Sequence, residues 1–320
     1  MSELTLDLIR AARERIRDKI TRTPVLTSEM LDGQAGASLF FKAENLQKIG
    51  AFKARGATNA VFMLSDAEAR KGVVTHSSGN HGAAVARAAQ LRGIPAYIVM
   101  PTNVPKAKQA SVRRFGGQIT FVEPTVAARE AAANKLIEET GAQLVHPYND
   151  LRVMAGQGTA ALELLEDVPD LDLVLCPVGG GGLLSGTAVA AKGMKPGIRV
   201  VAVEPAGADD AYRSLKAGKI VGNTKADTIA DGLRGQLGDR TFREIREHVD
   251  DIVTVSEDAI VLAMRAIWEM LKIVVEPSAA VPYAAIIEHK IDVAGQRVGI
   301  ILTGGNLDLD SLPWSGNEVL

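Results

Sequence analysis

Leu171-Asp172-Leu173-Val174-Leu175-Cys176-Pro177-Val178-Gly179-Gly180-Gly181-Gly182-Leu183-Leu184-Ser185-Gly186 is the stretch that decides the architecture. A short apolar run ends in four consecutive glycines and passes into a segment of helical spacing, which reads as strand, tight loop and helix. Four glycines forfeit conformational entropy unless something must approach the main chain closely. Bare N–H groups beside a helix N-terminus suit an anion of phosphate size. A merely flexible turn fits this strand-to-helix setting less well. Gly180, Gly182 and Ser185 stand near the offsets of a dinucleotide fingerprint, and Glu204 ends the next strand, but the third glycine is missing.

Outward from this stretch the same alternation continues. Strands are expected at residues 72–76, 96–100, 118–122, 143–146, 171–178, 200–203, 252–255 and 297–302. Helices are expected at 6–20, 51–64, 81–92, 105–115, 125–140, 155–165, 183–192, 257–272 and 278–288. Pro101, Pro147, Pro177, Pro205 and Pro277 fall at strand ends or helix starts, where a fixed φ and a missing N–H are tolerated. Short apolar strands alternating with helices imply parallel sheets covered by helices. Four strands cluster within residues 72–149, which predicts a small, mobile domain inserted in a larger one made of residues 1–71 and 150–320.

Composition narrows the function. The 320 residues are 47% hydrophobic and 23% charged, as in an ordinary globular protein with a sizeable core. A net charge of -2 and a pI near 6.3 leave no electrostatic footprint for nucleic acid or an acidic membrane. Cys176 is the one cysteine, so no internal disulfide is expected and a reducing, cytoplasmic setting fits. The start of the chain lacks the plan of a signal peptide, and no apolar run reaches membrane-spanning length.

Two further motifs bear chemistry. His76-Ser77-Ser78-Gly79-Asn80-His81-Gly82 again follows a strand and opens a helix, and its hydroxyls, amide and free N–H groups suit a carboxylate. A Ser/Asn helix cap accounts for one of those hydroxyls but not for the run. His76 and His81 lack a third His or Cys at ligand spacing, which argues against a transition metal. Gly50-Ala51-Phe52-Lys53-Ala54-Arg55-Gly56-Ala57 sets a lysine after an aromatic residue and among small ones. Partial burial there would lower the amine's pKa and leave it nucleophilic. A lysine alone is ordinarily a solvated surface residue. A nucleophilic lysine with two anion cradles, however, is what an aldehyde-bearing, phosphorylated cofactor requires.

These motifs, with Ala155-Gly156-Gln157-Gly158-Thr159, Glu204-Pro205, Ala230-Asp231-Gly232 and Thr303-Gly304-Gly305-Asn306, give the chain its resemblance. It resembles the fold-type II, pyridoxal-phosphate-dependent serine/threonine dehydratase and serine racemase family over nearly its whole length. Within that family it looks most like serine racemases and 3-hydroxyaspartate dehydratases. The resemblance implies an α/β protein with two open twisted sheets flanked by helices, like the tryptophan synthase β subunit, and a homodimer. It implies that Lys53 binds the cofactor covalently and moves the Cα proton on one face of the substrate, with Ser78 as acid or base on the other. Phe52 would pack on the pyridine ring, Asn80 would bond the phenolic oxygen, Gly179, Gly180, Gly181 and Gly182 would hold the phosphate, and Thr303 would stand beside the pyridine nitrogen. Ser77, Ser78, Gly79, Asn80 and His81 would hold the substrate.

A neutral hydroxyl at Thr303 stabilises a pyridinium less than a carboxylate does, which favours prompt loss of a β-leaving group. The implied reaction is loss of water from a β-hydroxy amino acid, ending in a 2-oxo acid and ammonia. A divalent cation is implied at Glu204, the Ala208 carbonyl and Asp210: hard oxygen donors that suit Mg²⁺, with Ca²⁺ or Mn²⁺ as alternatives. Read from the residues alone, the same carboxylates fit a solvated helix start.

Some positions depart from the racemase pattern. Ala51 replaces a usual serine, Ala83 a glutamine and Glu29 a serine. The last two belong to the nucleotide site of animal racemases, so the resemblance does not extend to ATP activation. Gly235 stands where a racemase serine meets substrate, leaving room beside the β-carbon. Arg129 aligns with an arginine able to pair with a second carboxylate, which would favour 3-hydroxyaspartate over serine by about 2 kcal/mol or more. Without that alignment Arg129 reads as an exposed helix residue paired with Glu130 or a neighbour. Other classes fit less well. An amino-acid-binding protein has no use for Lys53, a nicotinamide enzyme has none for the second loop, and the asparagine- and threonine-rich loop of cysteine-synthase-type enzymes is absent.

Overall fold

Apolar runs and helical segments alternate through the chain, in a computed structural model that describes residues 3–77, 79–223 and 225–314. In chain order the elements are α1 (Leu6–Ile16), β1 (Val25–Leu26), α2 (Glu29–Ala35), β2 (Ser38–Ala43), α3 (Lys53–Phe62), α4 (Asp66–Ala69), β3 (Val73–His76), α5 (Asn80–Arg92), β4 (Ala96–Pro101), α6 (Lys106–Arg114), β5 (Gln118–Val122), α7 (Val126–Thr140) and β6 (Gln143–Leu144). There follow α8 (Leu151–Asp167), β7 (Leu173–Pro177), α9 (Gly182–Met194), β8 (Arg199–Pro205), α10 (Asp210–Ala217), α11 (Asp239–His248), β9 (Asp251–Val255), α12 (Glu257–Leu271), α13 (Pro277–Ile287) and β10 (Arg297–Leu302).

The strands form two sheets. The larger has the order β1-β2-β10-β7-β8-β9, parallel except for the β1–β2 pair. Val298 on β10 lies level with Leu39 on one side and Leu173 on the other. Because side chains alternate across a strand, Val174, Cys176, Val200 and Ala202 pack under α8 and α9, while Leu173, Leu175, Val201 and Val203 pack under α12 and α13. Both faces are dry, which is why these strands read as continuous apolar runs. The smaller sheet, β5-β4-β3-β6, is wholly parallel. Val73, Ile98 and Met100 face α3 and α5, and Val74 and Val99 face Ala133 of α7.

Where helices α3, α8 and α9 cross, main chain comes close to main chain. A Cβ on Gly156 would lie 2.6 Å from the Gly56 Cα, and one on Gly186 would lie 2.8 Å from the Gly158 Cα. No side chain fits between the helices at these crossings. The Gly56 amide donates to Gln157 Oε1 at 3.0 Å, locking α3 to α8.

Behind α3 lies a buried ionic cluster. The guanidinium of Arg55 donates from Nε and Nη2 to the two Glu44 oxygens, each at 2.7 Å, and from Nη1 and Nη2 to Glu163 at 2.8 and 2.7 Å. Lys42 donates to Glu163 at 2.7 Å and to the Thr23 carbonyl at 2.7 Å. Burial opposes the charge on Arg55, yet Glu44 and Glu163 raise its pKa above the usual value, and burial lowers that of Lys42. Two cations thus balance two carboxylates in the dry interior.

Several elements depart from the sequence expectations. The pair β1 and β2 and the helices α2, α4, α10 and α11 were not anticipated. The first helix ends at Ile16 rather than residue 20, and β6 ends at Leu144, which frees residues 145–150 as a loop at the site. The Cys176 thiol is buried and its pKa is pushed up to about 12 by that burial. No helix among the described residues is long and apolar enough to cross a membrane.

Candidate active site

Lys53 is the first residue of α3, directly after a segment that pairs with the end of β10. Ala51 bridges Gly304, the Phe52 amide donates to the Thr303 carbonyl at 3.0 Å, and the Gly305 amide donates to the Gly50 carbonyl at 3.0 Å. Lys53 and Thr303 are thereby fixed on adjacent strands of backbone. The Lys53 Nζ donates to the Pro147 carbonyl at 2.8 Å and stands 5.0 Å from the centroid of the Phe52 ring. Burial of the amine pulls its pKa down to about 8, with Glu276 the carboxylate that partly offsets this. A substantial fraction of the amine is therefore neutral near physiological pH.

The tetraglycine loop reaches the lysine through Tyr148, the residue after Pro147. A Cβ on Gly180 would enter the Tyr148 ring, and one on Gly182 would lie 2.9 Å from the Tyr148 Cα. Gly181 has φ +86°, open to glycine at no strain. The Gly180 carbonyl accepts from Thr241 Oγ1 at 2.9 Å, which holds the loop. Among the described residues, no acceptor takes the amides of Gly179, Gly180 and Gly181. Three spare donors at the start of α9 form an anion cradle.

Asn80 opens α5, which packs against α3. Its Nδ2 donates to the two Glu276 oxygens at 3.1 and 3.3 Å, and its Oδ1 accepts from Asn306 Nδ2 at 2.9 Å. The Gly79 amide donates to Ser77 Oγ at 3.3 Å. His81 is buried and its Nε2 meets the Val145 carbonyl at 3.1 Å; burial holds its pKa well below the usual histidine value, so the ring is neutral. Ser78, expected as the second acid or base, lies outside the described residues. Arg129, near the start of α7, is half-buried; its Nε reaches the Thr125 carbonyl at 3.4 Å, and it makes no ion pair with a described carboxylate. The alternative reading of Arg129 as a helix arginine paired with Glu130 is therefore not seen. Its charge acts on His76 and Tyr148, which with His146 form an edge-on series of rings, His76–His146 at 5.3 Å and His146–Tyr148 at 4.6 Å. Burial pulls the His146 pKa down to about 4, leaving it neutral. The sequence reading missed Glu276, Tyr148 and His146. The dipeptide Glu276-Pro277 looks like any acidic helix start, and only its burial marks it.

The residues fit an aldehyde-bearing phosphorylated pyridine. Thr303 is 3% exposed and its hydroxyl has no partner among the described residues. A buried hydroxyl of this kind calls for a missing acceptor or donor such as a ring nitrogen. The glycine cradle, the lowered Lys53 amine and the orphan hydroxyl supply the three contacts such a group needs.

Glu204 and Asp210 stand apart from this cluster, at the end of β8 and the start of α10. Glu204 accepts from the Ala211 and Tyr212 amides at 3.1 and 3.0 Å. Asp210 accepts from Asn223 Nδ2 at 2.7 Å and the Leu237 amide at 3.2 Å. Burial, together with the neighbouring Asp210 charge, pushes Glu204 up to about 9, and burial pushes Asp210 up to about 6. Two dry carboxylates that repel each other suit a cation between them. Among the described residues, no group of three or more His, Cys, Asp or Glu side chains could hold a metal ion.

The fold and the lysine-centred site define a class, and the chain belongs to it: residues 16–304 match the family of pyridoxal-phosphate dependent enzymes. Its relatives within that class are specific. The chain is 55% identical over 305 residues to the β-hydroxyaspartate dehydratase of Paracoccus denitrificans (strain Pd 1222), covering 95% of this chain and 97% of that one. It is 52% identical over 309 residues to the serine racemase of Arabidopsis thaliana, covering 95% and 93%. The solved structure of maize serine racemase superposes with a TM-score of 0.94 at 50% identity, covering 96% and 95% of the two chains.

Proposed function

We propose that this chain is a pyridoxal-phosphate-dependent ammonia-lyase that removes water from a β-hydroxy amino acid, most specifically 3-hydroxyaspartate, yielding oxaloacetate and ammonia. The observation that carries the reading is the Lys53 amine, half neutral near pH 8 and set between the glycine cradle and the orphan Thr303 hydroxyl. In this reading Gly179 to Gly182 hold the phosphate, Lys53 the aldehyde carbon, Asn80 the phenolic oxygen and Thr303 the pyridine nitrogen, with Phe52 beside the ring. Bound there, the cofactor withdraws electrons from the substrate's Cα. Lys53 takes the Cα proton on its face, and Ser78 serves the opposite face.

The substrate assignment rests on Arg129, a half-buried guanidinium without a described carboxylate partner, whose charge is felt at His76 and Tyr148. Such a group is suited to a second carboxylate. Gly235 adds room: the atoms nearest to a Cβ there would be the Gly180 amide nitrogen at 3.6 Å, a Tyr148 ring carbon at 3.7 Å and the Gly180 Cα at 3.9 Å. The 55% identity to a β-hydroxyaspartate dehydratase supports the same substrate. The 52% identity to a serine racemase supports a second reading, racemisation or dehydration of serine or threonine. A Mg²⁺ ion at Glu204, the Ala208 carbonyl and Asp210 would stiffen the larger sheet. A cytoplasmic homodimer completes the reading, with residues 72–149 closing over the substrate as a unit. Identical small-angle scattering with and without a substrate analogue would argue against that closure.

The deciding experiment measures 2-oxo acid and ammonia release from serine, threonine and each 3-hydroxyaspartate stereoisomer, with pyridoxal phosphate and Mg²⁺ supplied. A kcat/KM at least ~10-fold higher for one hydroxyaspartate supports the reading. Preference for serine or threonine replaces it with the second one.

A further inference from the structure

Glu276 is a buried carboxylate to which the proposed reaction assigns no step. It precedes α13 in the N-cap position, yet its side chain caps no amide of that helix. It is 4% exposed, and burial pushes its pKa up to about 7, with Asp231 adding to the shift. An uncapping carboxylate in the dry interior is expensive unless its hydrogen bonds matter. Those bonds are few and directional. The Asn80 side chain donates to it, the Asn306 main-chain N–H favours its charged form, and Gly304 leaves it room, since a Cβ there would lie 2.8 Å from Glu276 Oε1.

The direction of each bond follows from the one before. Asn306 Nδ2 donates to the Ile49 carbonyl at 2.7 Å and to Asn80 Oδ1 at 2.9 Å, so its own oxygen faces away. Asn80 must then present its oxygen to Asn306 and its nitrogen to Glu276. Reversing that amide would set oxygen against carboxylate and nitrogen against nitrogen. The Glu276 oxygens lie at 3.1 and 3.3 Å from one Asn80 nitrogen, so a single bifurcated N–H serves both. The second N–H has no acceptor among the described residues. The charged groups around Glu276 come from three other elements: Lys53 from α3, Lys108 from α6 and Asp231 from the turn before residue 234, the last two paired with each other.

We propose that Glu276 is a positioning residue: by accepting from Asn80 it fixes which way that amide faces, and so aims the second Asn80 N–H at the phenolic oxygen of pyridoxal phosphate. The inference rests on the cofactor reading above.

The test reads the visible absorption band of the bound cofactor, its pH midpoint and the affinity of apo protein for pyridoxal phosphate. The proteins compared are unmodified, Glu276→Ala, Glu276→Gln, Asn80→Ala, the Glu276→Ala/Asn80→Ala double variant and Asn306→Ala. Glutamine keeps an acceptor for Asn80 and is expected to keep the band within a few nanometres. Alanine at 276 is expected to reproduce the spectral change of Asn80→Ala and to weaken cofactor binding about 10-fold, the worth of one well-aligned hydrogen bond. The double variant adds nothing further, since both changes break one bond. Asn306→Ala, at an exposed position, shifts the band in the same direction by a smaller amount and guards against Glu276→Ala failing to fold. A band unmoved by Glu276→Ala and Asn306→Ala, or moved equally by Glu276→Gln and Glu276→Ala, overturns the inference. A lysine-dependent band missing from the unmodified protein overturns the cofactor reading and this inference with it.

Discussion

The two walls of the cleft differ in how deeply they are set. On the lysine side, α3 is buried from Ala54 to Val61, backed by the Arg55 cluster and pressed against α8 through glycine. On the far side of the small sheet, α7 buries Ala133 alone and β5 buries no residue. In the proposed reading the first wall holds the reacting amine in a fixed place, and the second, thinly packed and bearing Arg129, is free to shape what enters. Dense packing suits a nucleophile that must be placed within tenths of an ångström. A thin layer suits an element of low local stability that rearranges on binding.

The largest expected effect tests the fixed wall. Lys53→Ala should abolish the cofactor's visible band and lower kcat/KM by at least ~10³-fold, since no other lysine occupies such a setting. A retained band would end the assignment.

Arg55→Met keeps bulk but strands Glu44 and Glu163 without their guanidinium. It should destabilise the fold by about 3–5 kcal/mol in chemical denaturation. Arg129→Met should leave stability within ~0.5 kcal/mol while removing the preference for a dicarboxylate substrate, roughly 30-fold in relative kcat/KM. If the two variants are equally destabilising, the walls are alike and the contrast fails. The smallest effect is on rate against pH. With the Lys53 amine lowered to about 8, loading of apo protein with pyridoxal phosphate should rise about 10-fold per pH unit below that value and level off above it. Below pH 8 the amine is protonated and not nucleophilic, so a flat profile between pH 6 and 8 in stopped-flow absorption would contradict the burial of the amine.

What the sequence revealed divides along similar lines. The parallel strands of both sheets are apolar runs with glycine or proline at their ends, and a local pattern of that kind can be read directly. Strand β2 cannot, because Lys42 interrupts its run. That lysine is buried only because Glu163 meets it from 121 positions away. Helix α11 was hidden by its many charges, although Phe242 and Ile245 face the core. At the site, Lys53, Asn80, the glycine loop and Thr303 stand in recognisable motifs. Glu276 and Tyr148 do not. Their roles come from tertiary neighbours: Asn80, 196 positions from Glu276, and the glycines beneath the Tyr148 ring.

The glycine crossings of α3, α8 and α9 have a consequence for how this chain can change. Lys53 begins α3 and the anion cradle opens α9, and between those helices lies only main chain at Gly56, Gly156, Gly158 and Gly186. The separation of amine and cradle is therefore a ruler made of backbone, one that lengthens when a side chain is placed at those glycines.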